Sequence, residues 1–401
     1  MKGAWRTCRS RAEPPLKVLF IARSLELGGA ERQLTLLACH LRQRGHAVTV
    51  ALLYRAGPFV RDLEAADVHI LSLAKVRRWD VLAPLMRLLA IVREFEPDVI
   101  HGYLTVPNLL AFIARMRRPR ARLLWGVRDA GLSLTQYDWR ERTAFRLARL
   151  LSRFVDVIVA NSSAGADYYA SAGFRPRRFA VIPNGIEATR FSYSDEGRRR
   201  LRREWSVRPD SWLIGIVGRL DPAKDHETFL RSAAALVREV PNTRFVCVGG
   251  GTRARMEALR ELSRQLGVER DVVWAGPRTD MSDVYSALDL AVSSSKSEGF
   301  PNVVGESMAC GVPCVVTAVG DSAMVVGELG EVVAPGDPEA LAQACARVRN
   351  RCSRGALDRE QLRAWITSEF GVERMVDRSL AVMHSSPTRP MREPMVGVEA
   401  D

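Results

Sequence analysis

The chain has 401 residues, of which 47% are hydrophobic and 26% charged, as in an average globular protein. This length is enough for two or three domains of ordinary size. No stretch approaches the roughly 18 consecutive apolar residues of a membrane span, so the composition excludes integral membrane, collagen-like and disordered classes. The basic start of the chain precedes only a short apolar run at residues 18–22, too brief for a signal peptide, and we expect no export.

The cysteines indicate the redox compartment, and the charge is concentrated in one part of the chain. Seven scattered cysteines with no C-x-x-C pair argue against a disulfide framework and a zinc site, and they favour a reducing cytoplasm. The net charge of +13 is unevenly distributed, because basic residues outnumber acidic ones by 15 within residues 1–191 and are slightly outnumbered thereafter. The positive excess therefore belongs to the N-terminal half.

Apolar runs that alternate with glycine-bearing turns and helical patterns predict successive parallel α/β units. In the first half we expect strands at residues 18–22, 47–53, 98–100, 123–127, 155–160 and 179–183, and helices at 30–44 and 79–95. In the second half we expect strands at 213–218, 244–248, 272–274, 288–292 and 313–317, and helices at 228–239 and 303–309.

A polar stretch between Pro183 and Trp212, which contains three consecutive arginines at 198–200, interrupts the apolar periodicity and separates the halves. We predict two doubly wound domains joined there, with a ligand cleft between them. The predicted ranges are a basic extension at 1–16, a first domain at 17–188, a second domain at 189–369, a C-terminal helix at 370–384 and a flexible tail at 385–401.

The strongest chemical signal follows two predicted strands of the second half. Gly218 and Arg219 follow one strand with Lys224 five residues on, and the segment EGFPNVVGE, from Glu298 to Glu306, follows another. An arginine fork and a lysine point charge at the mouth of a sheet can hold a diphosphate. A glycine turn in front of a helix suits an anion, and two carboxylates suit hydroxyl groups. We expect a nucleoside diphosphate joined to a sugar.

Together and in this order, these motifs resemble the large family-four group of retaining glycosyltransferases with the GT-B fold. The resemblance covers roughly residues 17–383. It also rests on Gly28-Gly29-Ala30-Glu31, Pro183-Asn184-Gly185-Ile186, the run at 307–317 and the segment at 370–375.

The resemblance implies an α/β fold of two Rossmann-like domains that face each other across a cleft. The domain at 17–188 is then the acceptor-side domain, the domain at 189–369 binds the nucleotide sugar, and the helix at 370–384 crosses back to the N-terminal domain. It implies that Arg219 and Lys224 contact the donor diphosphate, that Glu298 lies at the donor sugar, and that Glu306 holds the ribose. Arg219, Lys224 and Glu298 are the candidate catalytic residues. The implied donor-binding set is Gly28, Gly29, Gly218, Arg219, Lys224, Glu298, Gly299, Phe300, Pro301, Asn302, Val303 and Glu306.

Retention of anomeric configuration is likewise an implication of the family. No carboxylate in the sequence can be identified as a nucleophile under the sugar, so we expect a same-face substitution in which Arg219 and Lys224 offset the developing charge. The chain contains no D-x-D motif, and we expect neither a metal nor another cofactor.

One departure from the family concerns the N-terminal domain, where related enzymes commonly carry a histidine that reaches the donor sugar. The corresponding stretch reads Trp-Gly-Val-Arg128-Asp129. Arg128 is the candidate replacement, and as a permanently charged guanidinium it would donate hydrogen bonds but not act as a base. The acceptor-side candidates are His101, Tyr103, Arg128 and Asp129.

The basic surface has two interpretations. Arg142, Arg146, Arg149 and Arg153 recur at helical spacing, as on any solvated helix face. Their position within the strongly basic half instead favours docking on anionic lipid headgroups. We therefore expect a peripheral protein on the cytoplasmic face of a membrane.

The leading hypothesis is transfer of a sugar from a nucleoside-diphosphate sugar to a lipid-linked or polysaccharide acceptor in cell-surface glycan synthesis. UDP is the default carrier because it is the commonest in the family, and GDP stays open. The alternatives are a nucleotide-sugar epimerase of the same architecture and, more remotely, a nucleic-acid-binding protein, which only the basic composition suggests.

Overall fold

The computed structural model describes residues 14–26, 28–75, 80, 82–128 and 139–385, and two compact units emerge from its contacts. The first unit extends to Gly126 and includes Phe154–Val157, whereas the second comprises Val127–Arg153 and the chain from Ile158 onward. The five domain ranges given above remain predictions. Most of the predicted extension and tail lies outside the described residues.

A seven-stranded sheet contains the strands of the first half, in the spatial order β3-β2-β1-β4-β5-β6-β7. The strands are β1 (Lys17–Ala22), β2 (Ala47–Leu52), β3 (His69–Ser72), β4 (Val99–Tyr103), β5 (Arg122–Val127), β6 (Val157–Ala160) and β7 (Arg178–Val181). β1 pairs in parallel with both β2 and β4. Because helices cover a parallel sheet on both faces, its central strands are continuous apolar runs rather than alternating ones.

The helices of this half are amphipathic, with the apolar side buried. They are α1 (Gly29–Gln43), α2 (Val60–Ala65), α3 (Leu82–Phe95), α4 (Thr105–Arg117), α5 (Trp139–Leu151) and α6 (Ser163–Ser171). In α1 the buried Leu34, Leu37, Ala38 and Leu41 recur at the spacing of one helix face.

A six-stranded sheet forms the centre of the second half, in the order β10-β9-β8-β11-β12-β13. Its strands are β8 (Trp212–Val217), β9 (Thr243–Val248), β10 (Val272–Gly276), β11 (Leu290–Ser293), β12 (Cys314–Thr317) and β13 (Glu331–Val333). All of these pairings are parallel. The strand order reverses between β8 and β11, and it is at such a switch point that doubly wound sheets leave a crevice for ligands.

Hydrophobic clusters lie on both faces of this sheet, one around Tyr285 and Phe370 and the other around Phe229 and Leu341. The helices that supply them are α7 (Asp195–Glu204), α8 (His226–Glu239), α9 (Arg253–Gln265), α10 (Met281–Ala287), α11 (Asn302–Ala309), α12 (Ser322–Val326), α13 (Pro338–Ser353) and α14 (Arg359–Phe370). The chain then continues into α15 (Val372–His384).

The arginine run that was assigned to a polar connection belongs to helix α7. Arg198 and Arg202 donate to the two carboxylate oxygens of Asp289, each at 2.6 Å. Arg200 donates to Asp280 at 2.6 Å and to Asp283 at 2.7 Å. The charges that interrupt the apolar periodicity are therefore structural ion pairs.

The predicted strands and helices are all present, and the two doubly wound, Rossmann-like sheets confirm the predicted α/β fold class. Two strands were missed, β3 and β13, because they are short, lie at sheet edges and are only partly buried, and so they produce no apolar run. Among the described residues, no helix is long and apolar enough to cross a membrane.

Candidate functional site

Two loops of the second half meet at the switch point of the six-stranded sheet. One follows β8 and contains Gly218, Arg219 and Lys224, and the other follows β11 and contains Glu298. β8 and β11 are adjacent, with Ile214 paired to Leu290. Since the carboxyl ends of parallel neighbours lie at one edge of a sheet, the two motifs predicted from the sequence lie together.

The first loop is fixed by its own hydrogen bonds. The backbone N–H of Gly218 donates to the carbonyl of Val248 at 2.9 Å, and Asp221 caps a 3-10 turn that ends at Lys224. The Arg219 side chain is 83% exposed and pairs with Asp221 at 3.0 Å. Its guanidinium is therefore accessible to a ligand from solvent.

Glu298 connects the two loops. Lys224 Nζ donates to Glu298 Oε1 at 2.5 Å, and Ser295 Oγ donates to the same oxygen at 2.7 Å. The Glu298 side chain is only 10% exposed. These two hydrogen bonds offset part of the free-energy cost of withdrawing the carboxylate from water.

The turn after Glu298 leads directly into helix α11. Phe300 is buried against Phe370, with ring centroids 5.6 Å apart, and Pro301 is the residue before the helix. Asn302 and Val303 form the first turn of α11, where backbone N–H groups and the helix dipole favour negative charge. The predicted helix therefore begins next to the predicted anion site.

Glu306 lies on the buried side of α11 and is 6% exposed. Tyr285, a fully buried residue of α10, donates its hydroxyl hydrogen bond to Glu306 Oε2 at 2.7 Å. The sequence did not single out Tyr285, because its link to Glu306 depends on how α10 packs beside α11.

Arg128 is joined to this site through Asn184. Arg128 Nη1 donates to Asn184 Oδ1 at 2.8 Å, and Asn184 Nδ2 donates to Asn302 Oδ1 at 2.9 Å. Asn184 belongs to the Pro-Asn-Gly-Ile motif that was used only for the family resemblance. Asp129, the neighbouring candidate, lies outside the described residues.

His101 and Tyr103 are buried residues of strand β4. The apolar run predicts a strand that ends at Ile100, whereas β4 continues to Tyr103, so both residues lie within a strand rather than after it. Both are buried, with ring centroids 4.7 Å apart, and His101 also packs against Phe20. They belong to the apolar interior of the first unit.

Gly28 and Gly29 also belong to the first unit, at the start of α1. Gly28 is extended, with φ of −154°, a conformation open to any residue. The backbone angle alone therefore does not require glycine at this position.

His226 begins helix α8 beside the Lys224 loop and was not recognised in the sequence. It is fully buried, and neither ring nitrogen has a hydrogen-bond partner among the described residues. Burial lowers the pKa of His226 to about 4, so the imidazole is neutral at pH 7. The positive charge of this loop comes from Arg219 and Lys224.

Cys310 and Cys314, which follow α11, are both buried. Burial raises the pKa of the Cys310 thiol to about 12 and also raises that of Cys314. In the part of the chain that the structure describes, no group of three or more His, Cys, Asp or Glu side chains is arranged to hold a metal ion.

A third loop supports the Glu298 turn from behind. Gly320 adopts a left-handed conformation, with φ of 55°, and lies against the carbonyl groups of Glu298 and Gly299. The next residue, Asp321, donates its backbone N–H to Gly299 O at 3.0 Å. Its carboxylate accepts from the backbone N–H of Ser163 at 3.0 and 3.1 Å.

The four arginines of the predicted docking stripe are Arg142, Arg146, Arg149 and Arg153, and all are exposed on α5 and the turn after it. Large apolar side chains are exposed on the same helix, Trp139 at 68%, Leu147 at 45% and Leu150 at 56%. A helix face that is only solvated rarely exposes three such residues.

Both halves of the chain match glycosyltransferase family models. Residues 27–190 match the model described as Glycosyltransferase Family 4, and residues 212–351 match Glycosyl transferases group 1. The D-inositol 3-phosphate glycosyltransferase of Streptosporangium roseum is 28% identical over 328 residues and 73% of each chain. The D-inositol 3-phosphate glycosyltransferase 2 of Catenulispora acidiphila is 34% identical, over 62% of each chain.

Among solved structures, Anabaena HepE in complex with UDP is similar, with a TM-score of 0.79 and 25% identity. The match covers 92% of this chain and 99% of HepE. The fold, the paired family models and these relatives agree. The chain belongs to the family-four glycosyltransferases of the GT-B fold.

We expect Gly320→Ala to destabilise the protein and to displace the Glu298 turn. A Cβ at position 320 would collide with the carbonyl oxygens of Glu298 and Gly299, in addition to the roughly 1–2 kcal/mol that a left-handed conformation costs a residue with a side chain. Gly336→Ala is the matched control, because Gly336 has φ of 77° with nothing within 4 Å of an added Cβ. Thermal unfolding should show a larger loss for Gly320→Ala, and equal losses would contradict this support role.

Proposed function

We propose that this glycosyltransferase moves a sugar from UDP to a hydroxyl group of a lipid-linked or polysaccharide acceptor, with retention of anomeric configuration. The observation that carries the proposal is the convergence of Arg219, Lys224 and Glu298 at the switch point of the second sheet. Two cations beside a carboxylate suit a diphosphate attached to a polyhydroxylated sugar.

In this proposal, Arg219 and Lys224 bind the diphosphate. The exposed guanidinium of Arg219 can approach phosphate oxygens as a fork. An ammonium has three N–H donors, so Lys224 can keep its contact with Glu298 while it binds a phosphate oxygen. Both cations then stabilise the negative charge that grows on the phosphate as it leaves.

The carboxylates would recognise hydroxyl groups. Glu298 accepts from the donor sugar, and Glu306, held by Tyr285, accepts from the ribose. Backbone of the turn from Gly299 to Val303 contributes N–H groups at the start of α11. Gly218 completes this part of the site, and the donor contacts of Gly28 and Gly29 stay predictions from the sequence.

The reaction is a same-face substitution. The acceptor oxygen bonds to the anomeric carbon while the bond from that carbon to the phosphate oxygen breaks. The hydroxyl proton passes to the departing phosphate, and the product keeps its configuration. The donor side needs no metal in this proposal, because Arg219 and Lys224 supply the positive charge.

The identities of carrier and acceptor rest on relatives. HepE was solved with UDP and with UDP-glucose, which supports UDP over GDP. The inositol-phosphate relatives make D-inositol 3-phosphate a competing acceptor. On the acceptor side we assign Arg128 the place of the family histidine, oriented by Asn184. The acceptor-side roles of His101, Tyr103 and Asp129 stay predictions from the sequence.

Ligand-dependent thermal stability tests the donor assignment. A ligand that binds only the folded protein raises its unfolding temperature. UDP and UDP-sugars should raise the midpoint more than GDP, ADP or dTDP compounds, and EDTA should not abolish the shift. A shift confined to another carrier would reject UDP, and a shift lost in EDTA would reject metal independence.

Product analysis tests the reaction with purified donor and an acceptor panel of lipid-linked sugar, polysaccharide and D-inositol 3-phosphate. Transfer to either of the first two supports the proposal. Transfer only to D-inositol 3-phosphate would show that the proposed acceptor class is wrong. Conversion of the donor sugar without any acceptor would indicate an epimerase.

Arg219→Ala and Lys224→Ala should each lower turnover about 100- to 1000-fold, the effect of removing one contact to transition-state charge. Arg253→Ala is the control, because Arg253 is an exposed arginine that pairs with Glu257 on its own helix. Steady-state rates and thermal midpoints would be measured for all three variants. Near-wild-type rates in Arg219→Ala would reject the diphosphate assignment.

We further propose that α5 docks on an anionic membrane surface. Exposed arginines lie beside exposed Trp139, Leu147 and Leu150 on this helix, so headgroup attraction and apolar insertion act on one face. Each basic residue near such a surface contributes about 1 kcal/mol. This arrangement would place the enzyme peripherally on the cytoplasmic face.

Replacing Arg142, Arg146, Arg149 and Arg153 by glutamine should release the protein from vesicles that contain phosphatidylglycerol and leave donor hydrolysis unchanged. The control replaces four exposed arginines of the second half, Arg253, Arg260, Arg264 and Arg270, so the net charge changes equally. Sedimentation with anionic and with zwitterionic vesicles measures the effect. Equal release in both variants would reject α5 as the docking element.

A further inference from the structure

Asn161 is a buried amide beside the Glu298 turn that the site described above does not use. It follows β6 directly and is only 5% exposed. A Cβ placed on Gly299 would lie 3.5 Å from Asn161 Oδ1 and 3.8 Å from Nδ2. The amide therefore lies in contact distance of the turn that begins at Glu298.

The second observation concerns the oxygen atom of this amide. Within the described ranges, no group donates a hydrogen bond to Asn161 Oδ1, although the atom is buried. Buried amide oxygens nearly always accept a hydrogen bond from protein, water or ligand. An unpaired one next to a ligand-binding turn is the arrangement expected of an acceptor that a bound hydroxyl group completes.

The segment that carries Asn161 is held in place from both sides. Ser162 caps helix α6 by accepting from Gly165 N at 3.0 Å, and Ser163 N donates to both carboxylate oxygens of Asp321. Asp321 in turn donates its own backbone N–H to Gly299 O. One buried residue thus fixes residues 161–163 against the Glu298 turn.

We propose that Asn161 binds a hydroxyl group of the donor sugar and that Asp321 is its positioning residue. This assignment rests on the proposed function, since it requires a sugar above the turn from Glu298 to Gly299. A hydroxyl both donates and accepts, and an amide does the same through its two ends, so either orientation of the Asn161 side chain can pair with it. Asn161 then contacts the sugar of the donor and not its nucleotide.

Binding of UDP compared with UDP-sugars tests Asn161. The probes are UDP, UDP-glucose, UDP-galactose and UDP-N-acetylglucosamine, measured by calorimetry on the full chain. Asn161→Ala should bind UDP as the wild type does and should bind the best UDP-sugar roughly threefold to tenfold more weakly, the effect of one lost hydrogen bond. The matched control is Asn350→Ala, the same change at an exposed amide on α13.

The outcomes separate this assignment from the proposed function. If the wild type binds UDP-sugars and Asn161→Ala binds them equally well, the assignment is wrong and the proposed function stands. If Asn161→Ala weakens UDP and UDP-sugars alike, the residue is structural and the assignment is again wrong. A wild type that binds none of the four probes overturns the proposed function and the assignment with it.

A double-mutant cycle tests Asp321. Asp321→Asn keeps the shape of the side chain but loses the charge that accepts from Ser163 N. It should weaken UDP-sugar binding and spare UDP, and its effect should not add to that of Asn161→Ala, because both act through one contact. Additive losses, or an equal loss of UDP binding, would overturn the positioning role.

Discussion

The ion pair between Lys224 and Glu298 is the contact on which the candidate site depends. Its partners lie 74 positions apart in the sequence and follow adjacent parallel strands, so the strand order of the sheet brings them together. Neither charge is well hydrated, and a mostly buried carboxylate is costly without a partner. The pair, with Ser295 as second donor, therefore fixes the two loops against each other before any substrate binds.

Further hydrogen bonds secure the same turn and helix from other directions. Asp321 accepts a hydrogen bond from Ser163 and donates one to Gly299. Asn184 donates to Asn302, and Tyr285 donates to Glu306. Each of these contacts comes from a different element of the fold. A site held in this way keeps its donors and acceptors aligned, which is what recognition of a flexible, polyhydroxylated ligand requires.

Much of the fold could be predicted from the sequence, because buried parallel strands are continuous apolar runs and the site motifs directly follow two of them. The missed edge strands β3 and β13 are too short and too exposed for that signal. The extension of β4 through His101 and Tyr103 was missed because polar side chains at a strand end resemble the start of a loop. Asn161 and Asp321 could not be predicted either, since Ser163 and Asp321 are 158 positions apart and only packing unites them.

The two arginine-rich helices show the same limit, because the sequence pattern does not say which arginines are paired inside the fold. These helices look alike in the sequence, yet Arg198 and Arg202 of α7 both pair with Asp289, the residue before β11, which comes close to the helix only in the fold. On α5 the arginines are exposed, and exposed Leu147 and Leu150 accompany them. Ion pairing inside the fold explains the basic run of α7, whereas the exposed apolar residues beside the basic run of α5 are the observation on which the docking proposal rests. The apolar residues, more than the net charge, therefore distinguish a docking helix from a solvated one.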